Sequence, residues 1–172
     1  MNILNLKVKK LEKDAILPVK AHKYDAGFDM FSNESLMIKP GEHKMVKTGI
    51  AVDIPEGHVG LLTARSGINH KSSLRVLLGV IDAGYNGDVS VLVDHRENNI
   101  ELDHFYPFIN LKDYTLDYAS KFTIPNVYKI QKGDKIAQLV ITPISEFEGV
   151  EEVQDFDSHS ERGDGGFGST QN

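Results

Sequence analysis

"GVIDAGYNGDVSVLV", from Gly79 to Val93, consists of two short apolar runs on either side of the turn-forming residues "DAGYNG". β-branched residues are frequent in both runs, and such runs joined by a turn that contains asparagine and glycine are typical of a β-hairpin. A narrow hairpin can present unpaired backbone N–H and C=O groups to the edge of a planar ligand. The sequence therefore predicts an antiparallel hairpin near the middle of the chain.

Similar runs recur along the rest of the chain. Helical periodicity is scarce, whereas short β-branched or alternating runs are separated by turn residues such as Pro40–Gly41 and Gly133. These runs include "MVKTGIAVDI", "HVGLLTA" and "KIAQLVITPI". Many short strands at near-regular spacing indicate an all-β fold of the sandwich, barrel or jelly-roll type. The exception is "SGINHKSSL", which predicts one short helix with Ser66 as its N-cap.

Composition limits the classes of function. The 172 residues suffice for one domain with a sizeable core, and there is no cysteine for disulfides or thiolate metal sites. The net charge of −6 opposes binding to long nucleic acid, although a few local cations suffice for a small phosphorylated ligand. Apolar runs such as "VLLGVI" are too short to span a bilayer, and the N-terminus lacks the apolar core of a signal peptide. We therefore expect a cytoplasmic location and no membrane contact.

Two segments depart from the strand pattern. Residues 95–127 are rich in aromatic residues and predict an inserted subdomain or a long lid. The stretch "RGDGGFGST", residues 162–170, is rich in glycine and is either a frayed tail or part of a binding site. We predict a single β domain over residues 1–161, with an insertion at about 95–127, and a mobile C-terminal arm over residues 162–172.

Several polar residues have both a structural and a functional interpretation. Asp82 is either a turn residue or a base at the mouth of a pocket that has Tyr85 as a wall. Arg65 and Ser66 are either surface residues or a phosphate cradle that combines a planar cation, a hydroxyl and free backbone donors. Asp29, in "DAGFDMFS", is either part of a turn or a carboxylate that holds Mg²⁺ directly or through its waters.

The C-terminal third adds further candidates. Gln138 lies inside the apolar run of "KGDKIAQLVI", where its amide needs partners from the core backbone or from a ligand. In the glycine-rich tail, Arg162 can take a terminal phosphate and Phe167 offers a face on which a base can stack. The seven histidines show no metal-ligand spacing, and Gly-x-Ser-x-Gly is absent. The residues therefore support neither a metal hydrolase nor acyl-enzyme chemistry.

Five of these segments, in their order along the chain, resemble the five motifs of the trimeric dUTPase family. They are "AGFDMFS", "ARSGIN", "GVIDAGYNGDV", "GDKIAQLVI" and "RGDGGFGST". The long segment before the fourth motif resembles that of extended dUTPases from phages of Gram-positive bacteria. The resemblance implies a distorted jelly roll that forms a homotrimer, with active sites between subunits and a C-terminal arm that completes a neighbour's site. It also implies hydrolysis of dUTP to dUMP and pyrophosphate with Mg²⁺, in the host cytoplasm if a phage encodes the chain.

The resemblance assigns roles to individual residues. Asp82 would deprotonate the water that attacks the α-phosphorus, Tyr85 would lie beneath the deoxyribose and exclude a 2′-hydroxyl, and Asp29 would anchor the waters of Mg²⁺. The hairpin backbone would read uracil at Gly79, Val80, Ile81 and Ser90. Phosphates would be held by Arg65, Ser66, Gly67 and Gln138. The arm would close over the nucleotide through Arg162, Phe167, Gly168, Ser169 and Thr170.

Two other functions are compatible with parts of the chain. The dCTP deaminase family resembles the third motif, but its glutamate that acts on the base is matched here by Leu92, which cannot transfer protons. A binding module is the second alternative, because extended phage dUTPases also resemble signalling proteins that bind repressors through the inserted segment and the active-site face. We expect repressor binding, where present, in addition to hydrolysis.

Overall fold

A computed structural model of the chain describes residues 5–96, 108–113, 116–117 and 127–155. Within these ranges the chain forms one helix, α1 (Ser66–Lys71), and thirteen strands. The strands are β1 (Lys7–Lys10), β2 (Gly27–Phe31), β3 (Leu36–Ile38), β4 (His43–Lys47), β5 (Ile50–Asp53), β6 (His58–Thr63), β7 (Leu74–Val76), β8 (Gly79–Ile81), β9 (Ser90–His95), β10 (Phe108–Asn110), β11 (Leu116–Asp117), β12 (Tyr128–Ile130) and β13 (Lys135–Pro143).

The described strands are arranged in four small sheets. Their orders are β1-β5, β4-β9-β7, β2-β13-β6-β8 and β11-β10-β12-β3. Every pair is antiparallel except β10 with β12, which is parallel. Most neighbours in a sheet are distant in sequence, as in jelly rolls. The predicted all-β jelly-roll architecture with one short helix is confirmed.

One apolar core connects the four sheets. Strand β9 shows how the sequence builds it, because Val91 and Val93 point into the core while Leu92, between them, stays half-exposed. Buried side chains of the other sheets pack against the same core, among them Ile38, Val52 and Leu139. The segment predicted as an insertion also contributes, since Leu111 is buried in this core and β10 joins β12.

The predicted hairpin between Gly79 and Val93 is wrong in its pairing. Strand β8 pairs with β6, whereas β9 pairs with β4 and β7, so the two apolar runs belong to different sheets. The connection between them, residues 82–89, is much longer than a two-residue hairpin turn, and each run buries its apolar face against a more distant strand. Strands β8 and β9, on the two sides of this loop, are therefore not joined to each other by ladder hydrogen bonds.

The predicted N-cap of the helix is also wrong. Arg65 is the N-cap, with an extended backbone at φ −78° and ψ 145°, and Ser66 is the first helical residue. The carbonyl of Arg65 accepts the first helical hydrogen bond, from the N–H of Asn69 at 3.2 Å. Helix α1 therefore begins one residue earlier than predicted and without a side-chain cap. No helix among the described residues is long and apolar enough to cross a membrane.

Candidate active site

A cluster of polar side chains forms where strands β2, β13 and β6 lie side by side. Gln138 on β13 is directly opposite Asp29 on β2 and Thr63 on β6, and Arg65 follows β6 by two residues. Three predicted site residues that are far apart in sequence are thus brought together by strand register. We call Asp29, Arg65, Gln138 and the neighbouring Lys135 the phosphate cluster, after the role that the sequence predicts for Arg65 and Gln138.

Asp29 is the centre of the phosphate cluster. The Nε of Arg65 donates to Asp29 Oδ1 at 2.8 Å, and the Nζ of Lys135 lies 2.8 Å from Asp29 Oδ2. The Asp29 side chain is only 14% exposed, so this carboxylate is largely withdrawn from water. Two cations compensate that desolvation, and the carboxylate in turn fixes the direction of both cations.

Lys135 is a member that sequence reasoning missed, and a β-bulge explains its position. The register of β13 against β2 shifts between Lys135, opposite Phe31, and Ala137, opposite Met30. Simple alternation would place Lys135 and Gln138 on opposite faces, but the extra residue, Ile136, puts them on the same face. Ile136 and Ala137 are both buried, and two adjacent apolar residues in an alternating strand were the available signal.

The side chain of Gln138 is held by a hydrogen bond to the backbone and by close packing against Gly27. Its Nε2 donates to the carbonyl of Ala64 at 3.0 Å, so its partner is backbone, one of the two predicted alternatives. A Cβ at Gly27 would come within 2.8 Å of Gln138 Oε1, so only glycine leaves room for the amide in this position. Asp25, in the same stretch "DAGFDMFS" as Asp29, accepts a hydrogen bond from the N–H of His22 at 2.8 Å and is a turn residue.

Ser66 and Gly67 continue the chain from Arg65 into α1. Ser66 is exposed and Gly67 half-exposed, and both belong to the first turn of the helix. N–H groups in a first helical turn have no partner within the helix. Free backbone donors and a hydroxyl therefore lie next to the guanidinium of Arg65.

A second group of predicted residues surrounds a cavity of about 270 Å³ at the loop between β8 and β9. We call this cavity the nucleoside cleft, after the role that the sequence predicts for its lining residues. It is lined by Met45, Leu62, Gly79, Val80, Ile81, Asp82, Tyr85, Asp88, Val89 and Ser90. Both sides of the loop contribute, because β8 and β9 do not pair with each other. All four backbone positions that were predicted to read a base are therefore in one cleft.

Tyr85 forms a fixed wall of the nucleoside cleft. Its hydroxyl donates to the carbonyl of Asp88 at 3.1 Å, and its side chain remains half-exposed. A Cβ at Gly87 would lie 2.6 Å from the Cζ of Tyr85, so the ring rests directly on the glycine backbone. The turn itself depends on Gly84, whose φ of 87° is unfavourable for other residues.

Asp82 stands at the exposed mouth of this cleft. Its backbone carbonyl closes the turn by accepting the N–H of Tyr85 at 3.2 Å. Its side chain is solvent-accessible, and none of the hydrogen bonds among the described residues uses its carboxylate. The carboxylate is therefore available to a water molecule.

The structure does not bring the nucleoside cleft and the phosphate cluster together within one chain. Ile81 on β8 is opposite Gly60 on β6, and Arg65 lies five residues further along the chain than Gly60. At about 3.3 Å per extended residue, Asp82 and Arg65 are separated by roughly 16 Å or more. One chain thus presents the two groups of predicted site residues at separate places.

The residues of the glycine-rich arm, Arg162, Phe167, Gly168, Ser169 and Thr170, lie outside the described residues. The described segment that leads towards them, residues 144–155, exposes large apolar side chains. Phe147 is 86% exposed, and Val150 is fully exposed. Single exposed apolar residues are ordinary, but a series of them along an extended segment is typical of a surface that contacts another chain.

The sequence profile of the dUTPase family matches residues 13–104 and 117–171. The interruption falls inside the segment that the sequence predicts to be inserted. The chain is 40% identical over 169 residues to a deoxyuridine 5′-triphosphate nucleotidohydrolase of Clostridioides difficile, which covers 96% of this chain and 97% of that protein.

Solved structures of phage dUTPases are similar to this chain in both sequence and fold. A mutant of the Staphylococcus bacteriophage 80alpha dUTPase, solved with dUpNHpp, is 41% identical with a TM-score of 0.87, over 98% of this chain and 99% of that one. A mutant of the dUTPase from phage phi11 of S. aureus, which shows the coordination of a structural Mg(II) ion, is 38% identical with a TM-score of 0.81, over 90% of this chain and 100% of that one.

Proposed function

Because the chain belongs to the dUTPase family, we propose that it hydrolyses dUTP to dUMP and pyrophosphate. The observation that carries this proposal is the presence of a nucleoside cleft with an accessible carboxylate and, separately, of a cation-rich phosphate cluster. A nucleoside triphosphate requires both kinds of site. In the cell, the reaction keeps uracil out of DNA and supplies the precursor of dTMP.

Asp82 is the proposed general base. Its carboxylate takes a proton from water, the water oxygen bonds to the α-phosphorus, and the bond from that phosphorus to the bridging oxygen of the leaving pyrophosphate breaks. Charge that develops on the phosphates is stabilised by Arg65, by Gln138 and by the donors of Ser66 and Gly67. Positioning and electrostatics account for the chemistry, and no covalent intermediate is required.

The nucleoside cleft supplies the proposed specificity. The ring of Tyr85 lies beneath the deoxyribose and leaves no space for a 2′-hydroxyl, so ribonucleotides are excluded sterically. The backbone at Gly79, Val80, Ile81 and Ser90 reads uracil and leaves no space for the methyl group of thymine. The absence of ladder bonds between β8 and β9 supports this assignment, because their facing backbone groups stay available to a base.

Mg²⁺ is the proposed cofactor, with Asp29 acting on it through water. Each Asp29 oxygen already contacts a cation, and the described residues contain no group of three or more acidic or histidine side chains that could hold a metal. The donor set therefore fits an ion that arrives with the substrate phosphates and keeps its waters. Some of those waters can donate hydrogen bonds to the carboxylate of Asp29. Such an ion would neutralise phosphate charge.

A homotrimer with shared sites is the proposed assembly. The separation between Asp82 and Arg65 within one chain supports it, because the cleft of one subunit must meet the phosphate cluster of another. Exposed apolar side chains around the cleft also support it, since Met45 is 59%, Leu78 68% and Val80 62% exposed. In this proposal the arm, residues 162–172, closes the site of a neighbouring subunit.

Binding of a repressor protein is a second candidate role. One observation favours it, namely that the family profile does not match residues 105–116, so this part of the proposed insertion lies outside the pattern that the family shares. We retain the proposed boundaries, a β domain over 1–161 with an insertion at about 95–127. If purified phage repressors fail to bind both in the presence and in the absence of dUTP, this role is excluded.

A pyrophosphate-release assay tests the main proposal. The full-length protein is incubated with Mg²⁺ and each canonical nucleoside triphosphate, and separately with dUTP. We expect pyrophosphate from dUTP alone. Hydrolysis of many triphosphates, or of none, would contradict the proposal, and ammonia release from dCTP would indicate the deaminase instead.

A further inference from the structure

A second cavity, of about 390 Å³, adjoins the phosphate cluster. Arg65 and Lys135 belong to both. The rest of its lining adds two more cations, Lys112 and Lys132, together with Asp134 and the ring of Phe31. We call it the cationic cavity. Neither Lys112 nor Lys132 is among the site residues predicted from the sequence, and the predicted roles do not account for two further cations here.

Most charges around the cationic cavity already have partners. Arg65 and Lys135 contact Asp29, and the ammonium of Lys132 contacts the carboxylate of Asp14. Among the ion pairs of the described residues, none involves Lys112. Within the described ranges, Lys112 is therefore the cation of this lining that lacks a direct carboxylate contact, although its charge acts on Asp134.

Strand pairing holds Lys112 at the rim of the cationic cavity. Strand β10 runs parallel to β12 with Asn110 opposite Lys129, so two residues later Lys112 reaches the level of Gln131, where the turn leading to β13 begins. Leu111 is buried in the core, and its N–H donates to the carbonyl of Lys129 at 3.2 Å. The backbone of Lys112 is thus anchored, while its side chain is exposed.

We propose that the cationic cavity receives the terminal phosphates of dUTP and the pyrophosphate released from it, and that Lys112 is a positioning cation for this group. The inference rests on the proposed hydrolysis of dUTP. Pyrophosphate carries several negative charges, and the shared Arg65 and Lys135 make the cavity continuous with the phosphate cluster. A lysine ammonium is a compact charge on a flexible stem and can follow the anion as it leaves.

Calorimetric titration of the full-length protein with inorganic pyrophosphate, and separately with dUMP, tests this assignment. Lys112→Met should raise the Kd for pyrophosphate roughly three- to tenfold, the effect expected of one charge-assisted contact. It should leave the Kd for dUMP unchanged. Lys112→Arg should bind pyrophosphate within about twofold of the wild type, because the charge is retained.

Lys129→Met is the matched control, because it removes the same charge from the neighbouring strand but outside the cavity. In turnover with dUTP, Lys112→Met should raise KM and leave kcat within about twofold. Equal pyrophosphate affinity in Lys112→Met, Lys129→Met and the wild type would overturn the assignment. A wild type that binds pyrophosphate but does not hydrolyse dUTP would instead refute the proposed function, so the two failures are distinguishable.

Discussion

At the scale of single residues, the site depends on carboxylates in opposite environments. Asp29 is largely buried between two cations and serves to hold them in place, whereas Asp82 is exposed and accepts no hydrogen bond from the described residues. Both are aspartates two residues from a glycine, so the sequence alone leaves a turn role open for each. Their contacts separate a positioning carboxylate from a candidate base.

Replacing Asp82 by asparagine tests the base directly. We expect kcat for dUTP to fall by at least about a hundredfold, because general-base catalysis contributes typically 10²–10⁴. The melting temperature should stay within a few degrees, since the side chain is exposed and unpaired among the described residues. Asp53→Asn, at an exposed position on β5, is the control and should leave kcat unchanged. A fall of less than about tenfold would contradict the assignment.

Asp134 gives a pH-dependent prediction. Burial raises the pKa of Asp134 above its ordinary 3.8, although the hydrogen bond from the N–H of Gln131 and the charge of Lys112 act in the opposite direction. Because the folded state then binds the proton more tightly than the unfolded state, the wild-type free energy of unfolding loses a contribution as pH rises from about 4 through the raised pKa.

Asp134→Asn removes this contribution and retains an oxygen for the N–H of Gln131. The free energy of unfolding, measured by urea titration between pH 4 and 7, should therefore fall less with rising pH in Asp134→Asn than in the wild type. Identical pH dependence in the two proteins would show that the pKa of Asp134 is not raised. Asp53→Asn serves again as a control for the loss of one carboxylate.

At the scale of strands and loops, the sequence predicts which segments extend but not which segments pair. The runs that became β6, β9 and β13 were recognisable from alternation and turn residues. The hairpin was mispredicted because β8 and β9 bury their apolar faces against distant strands, and local patterns carry no information about such partners. Lys135 was missed for a related reason, since one bulge residue reverses the face that a side chain occupies.

The loop between β8 and β9 allows a prediction at this scale. Gly87→Ala would place a methyl group against the Tyr85 ring, which the structure brings within 2.6 Å of that position. The ring must move away, so we expect KM for dUTP to rise by about tenfold and discrimination against UTP to weaken. Gly149→Ala is the control, because a Cβ there meets nothing within 4 Å. Unchanged steady-state constants in Gly87→Ala would exclude Tyr85 as the sugar wall.

At the scale of the whole molecule, the proposed homotrimer with shared sites predicts both the mass in solution and the role of the arm. A solution mass near three times the chain mass of 19.1 kDa is expected from light scattering. Truncation after Glu161 should abolish dUTP hydrolysis and preserve that mass, because our proposal assigns the arm to the site and not to the core. A truncated protein with normal activity would show that residues 162–172 have no catalytic role.

Complementation between two inactive variants tests whether different subunits supply Asp82 and Arg65. Asp82→Asn and Arg65→Gln should each be nearly inactive as pure proteins. After they are unfolded together and refolded in equal amounts, about a quarter of the sites in random trimers combine an intact Asp82 from one subunit with an intact Arg65 from another. Activity near a quarter of the wild-type value should therefore return.

The same mixture distinguishes the alternatives. If one chain supplied both residues, every site would lack one of them and mixing would restore nothing. We do not expect that outcome, because the strand register separates the backbones of the two residues by roughly 16 Å along β6. Refolding each variant alone controls for recovery of the fold, and mixing either variant with wild type measures subunit exchange. Persistent inactivity of a fully exchanged mixture would refute the shared site.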